Sequence, residues 1–197
     1  MNIVDRAKNI LFSPASEWET IKSESITTNE LFTKYAVILA AIPAIAGLIG
    51  YSIFGYSFGF GRITLGFGTA IIWAVLTYIL SLVSVYVLGW IIDALAPSFG
   101  SAKDLVASLK VAVFAYTAAW VGGIFHILPY LSWLAALISI YSLVLLYMGL
   151  KRVKTVPDDK MIGYFVVVII VAIVLYIIIG AIIGAVAFSG YMAGSGI

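Results

Sequence analysis

The stretch MIGYFVVVIIVAIVLYIIIGAIIGAVAF, residues 161–188, carries no charged side chain and decides the fold. A helix needs ~20 apolar residues to cross a hydrocarbon core of ~30 Å, so this stretch is long enough to span a membrane. Four earlier runs share that character, and together they predict five transmembrane helices over residues 35–54, 65–92, 111–128, 130–150 and 161–188. The chain is therefore predicted to be an all-α, polytopic membrane protein.

Composition supports a single membrane domain. The chain is 63% hydrophobic and only 10% charged, whereas about 25% of the residues of a soluble domain are charged. Residues 1–34 are too few to bury a core of their own. We therefore expect three parts: an amphipathic N-terminal segment (1–34), a five-span domain (35–188) and a short outer tail (189–197).

The charged residues predict the orientation. Ten of the 11 Lys and Arg residues, and all nine Asp and Glu residues, fall in segments 1–34, 93–110 and 151–160. Arg62 alone lies on the opposite side. Short loops rich in Lys and Arg stay in the cytoplasm, so the N-terminus is predicted inside and the C-terminus outside. A net charge of only +2 gives no support to a nucleic-acid partner.

The N-terminal segment has the pattern of two short helices. A face of apolar residues at helical spacing predicts an amphipathic helix in the headgroup plane, with Arg6 on its polar side; the apolar residues are Ile3, Val4, Ala7, Ile10 and Leu11. Ser16 and Glu19 have capping-box spacing, so a second helix is predicted to begin there and to turn Trp18 toward the membrane, the bundle or a partner. Thr27 and Glu30 repeat that spacing where the first span begins.

No catalytic, cofactor or metal site is predicted. His126 is the only histidine, and the chain has no cysteine, so neither a zinc site nor a Ser-His-Asp arrangement can be completed. Asp93 ends the second apolar run. It is either a helix-end carboxylate paired with a lysine or a proton or cation site within the membrane; the candidate lysines are Lys103, Lys110 and Lys151.

Two further groups of polar residues have alternative interpretations. Lys151, Arg152 and Lys154 either hold an anionic lipid headgroup or only anchor the topology. The hydroxyls of Tyr116, Tyr141 and Ser142 either bond between helices or line a conduit. In the last span, Gly180 and Gly184 would let another helix approach closely, from the same chain or from a second copy.

Several short motifs resemble the Yip domain, the Ypt-interacting protein family. They follow one another in the order Phe99-Gly100-Ser101, Ala115-Tyr116, Pro129, Ile140-Tyr141-Ser142 and Gly149. The resemblance covers roughly residues 32–188. It implies five spans and a cytoplasmic N-terminus and, in eukaryotic members, Rab-type small GTPases as partners in membrane traffic.

The N-terminus departs from that pattern. The long acidic region with an Asp-Leu-Tyr-Gly-Pro type motif is absent, and Phe12-Ser13-Pro14 followed by Trp18 stands in its place, as in compact prokaryotic-like members. We therefore expect a non-enzymatic scaffold or adaptor that recruits a cytoplasmic protein or organises lipid. The alternative is a small transporter or channel that uses Asp93 and the intramembrane hydroxyls near a kink at Pro43.

Overall fold

The computed structural model describes residues 2–58 and 61–195, which are almost entirely helical. The α-helices are α1 (Ile3–Phe12), α2 (Pro14–Ser23), α3 (Thr28–Leu31), α4 (Val37–Ile49), α5 (Phe67–Leu95), α6 (Leu105–Ala115), α7 (Thr117–Gly122), α8 (Ser132–Arg152) and α9 (Asp158–Ser195). Two three-residue strands, β1 (Tyr56–Phe58) and β2 (Gly61–Ile63), pair antiparallel between α4 and α5.

Five helical units are long and apolar enough to cross a membrane, which confirms the predicted all-α, five-span architecture. We number them spans 1 to 5: Thr28–Phe54, Phe67–Phe99, Leu105–Ile127, Pro129–Arg152 and Asp158–Val186. Span 1 includes two π-helical turns, Phe32–Ala36 and Gly50–Phe54. Spans 2 and 3 end in 3-10 turns, Ala96–Phe99 and Gly123–Ile127, and span 4 begins with one, Pro129–Leu131.

The helix boundaries follow local chemistry. The predicted capping box at the start of span 1 is confirmed. The Glu30 amide donates to the Thr27 hydroxyl, and the Thr27 amide donates to the Glu30 carboxylate. The box predicted at Ser16 is wrong: α2 begins at Pro14, whose ring favours the first helical position. The Ser16 hydroxyl donates instead to the Ser13 carbonyl at 3.0 Å.

Span 3 lies at the centre of the bundle. In its most apolar stretch 67% of the residues are buried within the chain, whereas the corresponding share for span 5 is 6%. Span 5 packs against α5 and α8 and exposes most of its surface. We call the end of the bundle formed by segments 1–34, 93–110 and 151–160 the charged end. The helix of span 5 continues to Ser195, through most of the segment expected to form a tail; Ile197 and the residue before it lie outside the described residues.

Candidate functional site

The N-terminal hairpin, defined as α1 and α2, packs within the charged end of the bundle. Ile10 and Trp18 are fully buried, and the hairpin contacts α7 and α8. The Tyr141 hydroxyl donates to the Leu11 carbonyl at 3.0 Å. Tyr141 lies eleven residues before Arg152 in α8, which is roughly 16 Å along a helix at ~1.5 Å per residue. The hairpin therefore contacts α8 well inside the charged end of the bundle.

A buried charge cluster holds this hairpin together. Arg6 donates to the Glu17 carboxylate at 2.6 Å and also to the Glu24 carboxylate, and its guanidinium carbon lies 5.6 Å from the centre of the Phe114 ring. Arg6 and Glu17 each keep only 7% of their surface exposed. An unpaired charge at such a site is very unfavourable, so each ion depends on the other. The expectation that Arg6 faces outward is wrong.

Lys110 links the hairpin to span 3. Its ammonium donates to the Ile21 carbonyl at 2.9 Å and to the Glu24 carbonyl, at the end of α2. Cations near a helix C-terminus complement both the unpaired carbonyls and the helix dipole. Lys110 thus fixes the exit of the hairpin to the helix at the centre of the bundle.

Trp18 is enclosed between spans 3 and 4 and offers no surface to a partner. Its ring packs edge-on to Phe114 with centroids 6.4 Å apart. A Cβ atom added at Gly149 would lie 2.8 Å from the ring, so this glycine makes room for the indole. The indole nitrogen has no hydrogen-bond partner among the described residues. Of the alternatives for Trp18, the structure selects the bundle.

Asp93 lies at the charged end and joins two connections between spans. One carboxylate oxygen accepts hydrogen bonds from the Asp104 amide at 2.7 Å and the Ser108 hydroxyl at 3.2 Å, and lies 3.7 Å from the Lys154 ammonium. The expected partners, Lys103, Lys110 and Lys151, are wrong, because the pairing lysine is Lys154. Burial lowers the pKa of Lys154 below its ordinary value, while the nearby carboxylates oppose that shift.

Lys151, Arg152 and Lys154 point to three different places. Lys151 pairs with Asp158 at 2.9 Å in an exposed ion pair. Arg152 donates to the Ala15 carbonyl at 2.7 Å and to Glu19 at 3.0 Å, which ties α2 to the end of α8. Lys154 is buried and donates to the Ala102 carbonyl at 2.8 Å. They do not converge on one headgroup.

The other polar residues named from the sequence form separate contacts. Ser142 accepts the Ala119 amide at 3.2 Å, and Tyr116 and Ser142 both line a cavity between the spans. His126 bonds the Gly123 carbonyl through Nδ1 at 3.0 Å, at the opposite end from the charged segments. Within residues 2–58 and 61–195, no three His, Cys, Asp or Glu side chains lie together as metal ligands would.

Sequence reasoning missed the charge cluster. Arg6 and Glu17 lie on short helices whose pattern predicts exposed polar faces, and Glu24 directly follows the second helix. Lys110 was interpreted only as a topology signal and as a candidate partner of Asp93. One usable signal was present: Lys110 directly precedes the apolar run 111–128 with no acidic residue within five positions, so its partner had to come from elsewhere in the chain.

Comparison with known proteins agrees with this architecture. The family model described as "Yip1 domain" matches residues 8–194. Inner membrane protein YohC from Escherichia coli strain K12 is 30% identical over 160 residues, which cover 78% of this chain and 82% of that protein. YohC from Escherichia coli O6:H1 matches to the same extent. No solved structure matches. The chain is a multi-pass membrane protein that belongs to the Yip1 domain family.

Proposed function

We propose that this chain is a non-enzymatic membrane scaffold whose charged end faces the cytoplasm and presents a fixed surface to a protein partner or to lipid headgroups. The docked N-terminal hairpin is the observation that supports the proposal. A short helix pair that only anchored a terminus would need no buried ions, because apolar contacts suffice for membrane attachment. The Arg6 cluster instead holds both helices in one orientation.

The fixed hairpin determines which side chains project outward. Asp5, Lys8 and Lys22 are exposed and take part in no described ion pair, whereas Arg6 and Glu17 are buried. A rigid surface loses less conformational entropy on binding than a mobile segment does. The family resemblance suggests a small GTPase as one class of partner for this surface.

The transporter alternative receives less support. Asp93 lies at the charged end, where Asp104, Ser108 and Lys154 satisfy its carboxylate. In all five spans, the charged residues lie within a few turns of that same end. Ion-coupled transporters commonly place their sites near the bilayer midplane, and among the residues that the structure describes no Asp, Glu, Lys or Arg lies in the middle of a span.

Site-specific photocrosslinking in living cells tests the proposal. A photoreactive amino acid replaces Lys22 on the hairpin or, as a control, Thr64 at the opposite end; both positions are exposed. We expect a discrete crosslinked species from position 22 only. Arg6→Met should abolish it by releasing the hairpin, whereas Lys8→Met, on the exposed face of α1, should retain it. No species from position 22, or an equal yield with Arg6→Met, would contradict the scaffold role.

The orientation has its own test. The native chain contains no cysteine, so single cysteines at positions 22 and 64 report access directly. An impermeant thiol reagent applied to intact cells should label position 64 and spare position 22. Labelling at 22 would place the charged end outside.

A further inference from the structure

Two cavities open at mid-height between spans 2, 3, 4 and 5. One, of about 250 Å³, lies between span 2 and span 5 and is lined by Thr77, Ser81, Ser84, Tyr116, Tyr176 and Gly180, among others. The second, of about 210 Å³, reaches span 4 and is lined by Ser139, Ser142 and Leu143. Tyr116 and Tyr176 line both, so the two cavities meet at these rings.

The lining is uncharged and lies far from either end of the bundle. Tyr116 is the midpoint of span 3, Ser84 lies next to the midpoint of span 2, and Thr77 lies ten residues inside the start of span 2. Tyr176 lines both cavities and is nevertheless 77% exposed, so the cavities are reached sideways, from the lipid phase. A molecule that enters by this route must be soluble in the hydrocarbon core, and its head must carry no net charge.

Most of the hydroxyls around the cavities already have partners. Ser139 donates to the Ala135 carbonyl at 2.7 Å, Ser81 accepts the Trp120 indole N–H at 2.8 Å, and Ser142 accepts the Ala119 amide. Thr77 differs, because its buried hydroxyl has no hydrogen-bond partner among the described residues. Leaving a hydroxyl without a hydrogen bond in a hydrocarbon environment costs free energy. A ligand that supplied an acceptor to the Thr77 hydroxyl would remove that cost.

Span 3 is interrupted where the cavities meet. Its helix ends at Ala115 and resumes at Thr117, and Tyr116 occupies the break. In an uninterrupted helix the Ala119 amide would donate to the Ala115 carbonyl, but it donates to the Ser142 hydroxyl of span 4. Interrupted membrane helices are tolerated where they are buried in protein or line a cavity, and they often form binding sites.

We propose that these joined cavities bind an uncharged membrane lipid whose head bears carbonyl oxygens, with the Thr77 hydroxyl as donor to one of them. The combination is typical of a ligand site: a mostly apolar concave surface with a few polar groups that set orientation. The tyrosine rings at the junction suit a flat conjugated ring, as in a quinone, and the hydroxyls also suit the ester carbonyls of a diacylglycerol. This proposal does not depend on the scaffold role.

The test measures partition of radiolabelled probes between empty phosphatidylcholine nanodiscs and nanodiscs that contain the full chain. The probes are a decyl-chain quinone, dioctanoylglycerol and eicosane, an alkane without a polar head. Thr77→Val removes the donor at constant shape, and Thr33→Val is its matched control because that hydroxyl donates to the Asn29 carbonyl of its own span and lines neither cavity. Ala172→Phe places a ring from span 5 in the second cavity. Ile173→Phe places the same ring on the exposed side of that span.

We expect saturable binding of the quinone or the diacylglycerol, and the probe that binds identifies the source of the carbonyl. Thr77→Val should weaken binding roughly three- to tenfold, the effect of one lost hydrogen bond. Ala172→Phe should abolish binding, and the two control variants should bind as the parent does. Eicosane binding as tight as that of the polar probes would show a gap filled by acyl chains and would overturn the proposal. Equal binding by Thr77→Val and Thr33→Val, with both variants folded, would overturn it as well.

Discussion

Arg6→Met should release the N-terminal hairpin while the five spans stay inserted. The substitution keeps an unbranched apolar stem of similar length but leaves the carboxylates of Glu17 and Glu24 without their cation. Glu17 is only 7% exposed, and removing one partner of a buried pair typically costs about 3–5 kcal/mol. That cost falls on the hairpin, because Glu17 lies in α2 and Glu24 directly follows it.

Hydrogen exchange of the α1 amides measures this cost directly. If opening of the hairpin limits exchange, a loss of about 3–5 kcal/mol accelerates it roughly 100- to 4,000-fold. The amides of α8 should exchange at the parent rate. Lys8→Met is the matched control on the exposed face of the same helix and should change the rate by less than about threefold, since such surface changes stay within ~0.5 kcal/mol.

A triple variant separates charge from packing. Arg6→Met combined with Glu17→Gln and Glu24→Gln removes the uncompensated carboxylates, and a neutral replacement of a whole buried ionic cluster is often nearly neutral in energy. The triple variant should therefore recover most of the protection lost in Arg6→Met. Equal exchange in the Arg6→Met and Lys8→Met variants, or no recovery in the triple variant, would refute the reasoning.

Three other predictions follow from the same end of the bundle. Gly149→Ala should lower the unfolding midpoint of the purified protein, because a Cβ atom there would lie 2.8 Å from the Trp18 ring and overpacking costs about 1–3 kcal/mol; Gly180→Ala, which meets open space, should not. Asp93→Asn should destabilise by about 1–3 kcal/mol and leave proton flux in proteoliposomes unchanged, so flux that vanishes in the variant would favour transport. Burial lowers the pKa of Lys154 in the folded chain below 10.5. The unfolded chain therefore binds more protons than the folded chain just below pH 10.5, and the free energy of unfolding should rise with pH there. Lys154→Gln should flatten that rise in an alkaline denaturation series.

The five spans could be predicted from the sequence because each is an uninterrupted apolar run, and a bilayer sets both the minimum length and the permitted composition. The position of Asp93 near the end of span 2 could be predicted as well, because it directly follows the apolar run 65–92. The partner of Asp93 could not be predicted, because Lys103, Lys110, Lys151 and Lys154 all lie in segments expected at the same end of the bundle. The choice among them depends on how segments 93–110 and 151–160 fold over one another. Lys154 is selected by burial, which no local pattern encodes.

The N-terminal hairpin shows a different limit. Helical spacing predicted a helix where α1 lies, but of its predicted apolar face Ile10 is buried and Val4 is 69% exposed. Spacing cannot distinguish a lipid surface from a protein surface, because both accept the same apolar face. It also assigned Arg6 to the solvent, since a charged residue on a short helix is usually exposed. Arg6 is buried because its guanidinium contacts the Glu17 carboxylate and the Phe114 ring. These contacts join residues far apart in the sequence, so helical spacing does not predict them.

The buried ions suggest why the hairpin has one docked position. Apolar contact is non-directional, and the outside of the bundle offers apolar surface on every side, so hydrophobicity alone would let α1 settle in many places. The Arg6 guanidinium is satisfied only where two carboxylates and the Phe114 ring surround it, and the end of α2 is satisfied only beside Lys110. The pairing of Arg6 with Glu17 and Glu24 lies within the hairpin segment, so the contacts with the spans decide its placement. Any other placement removes Phe114 from the guanidinium and leaves the buried Lys110 ammonium without the carbonyls of Ile21 and Glu24, and an unpaired charge away from water costs several kcal/mol. The ions thus select the position of the hairpin, while Ile10 and Trp18 supply its apolar contacts.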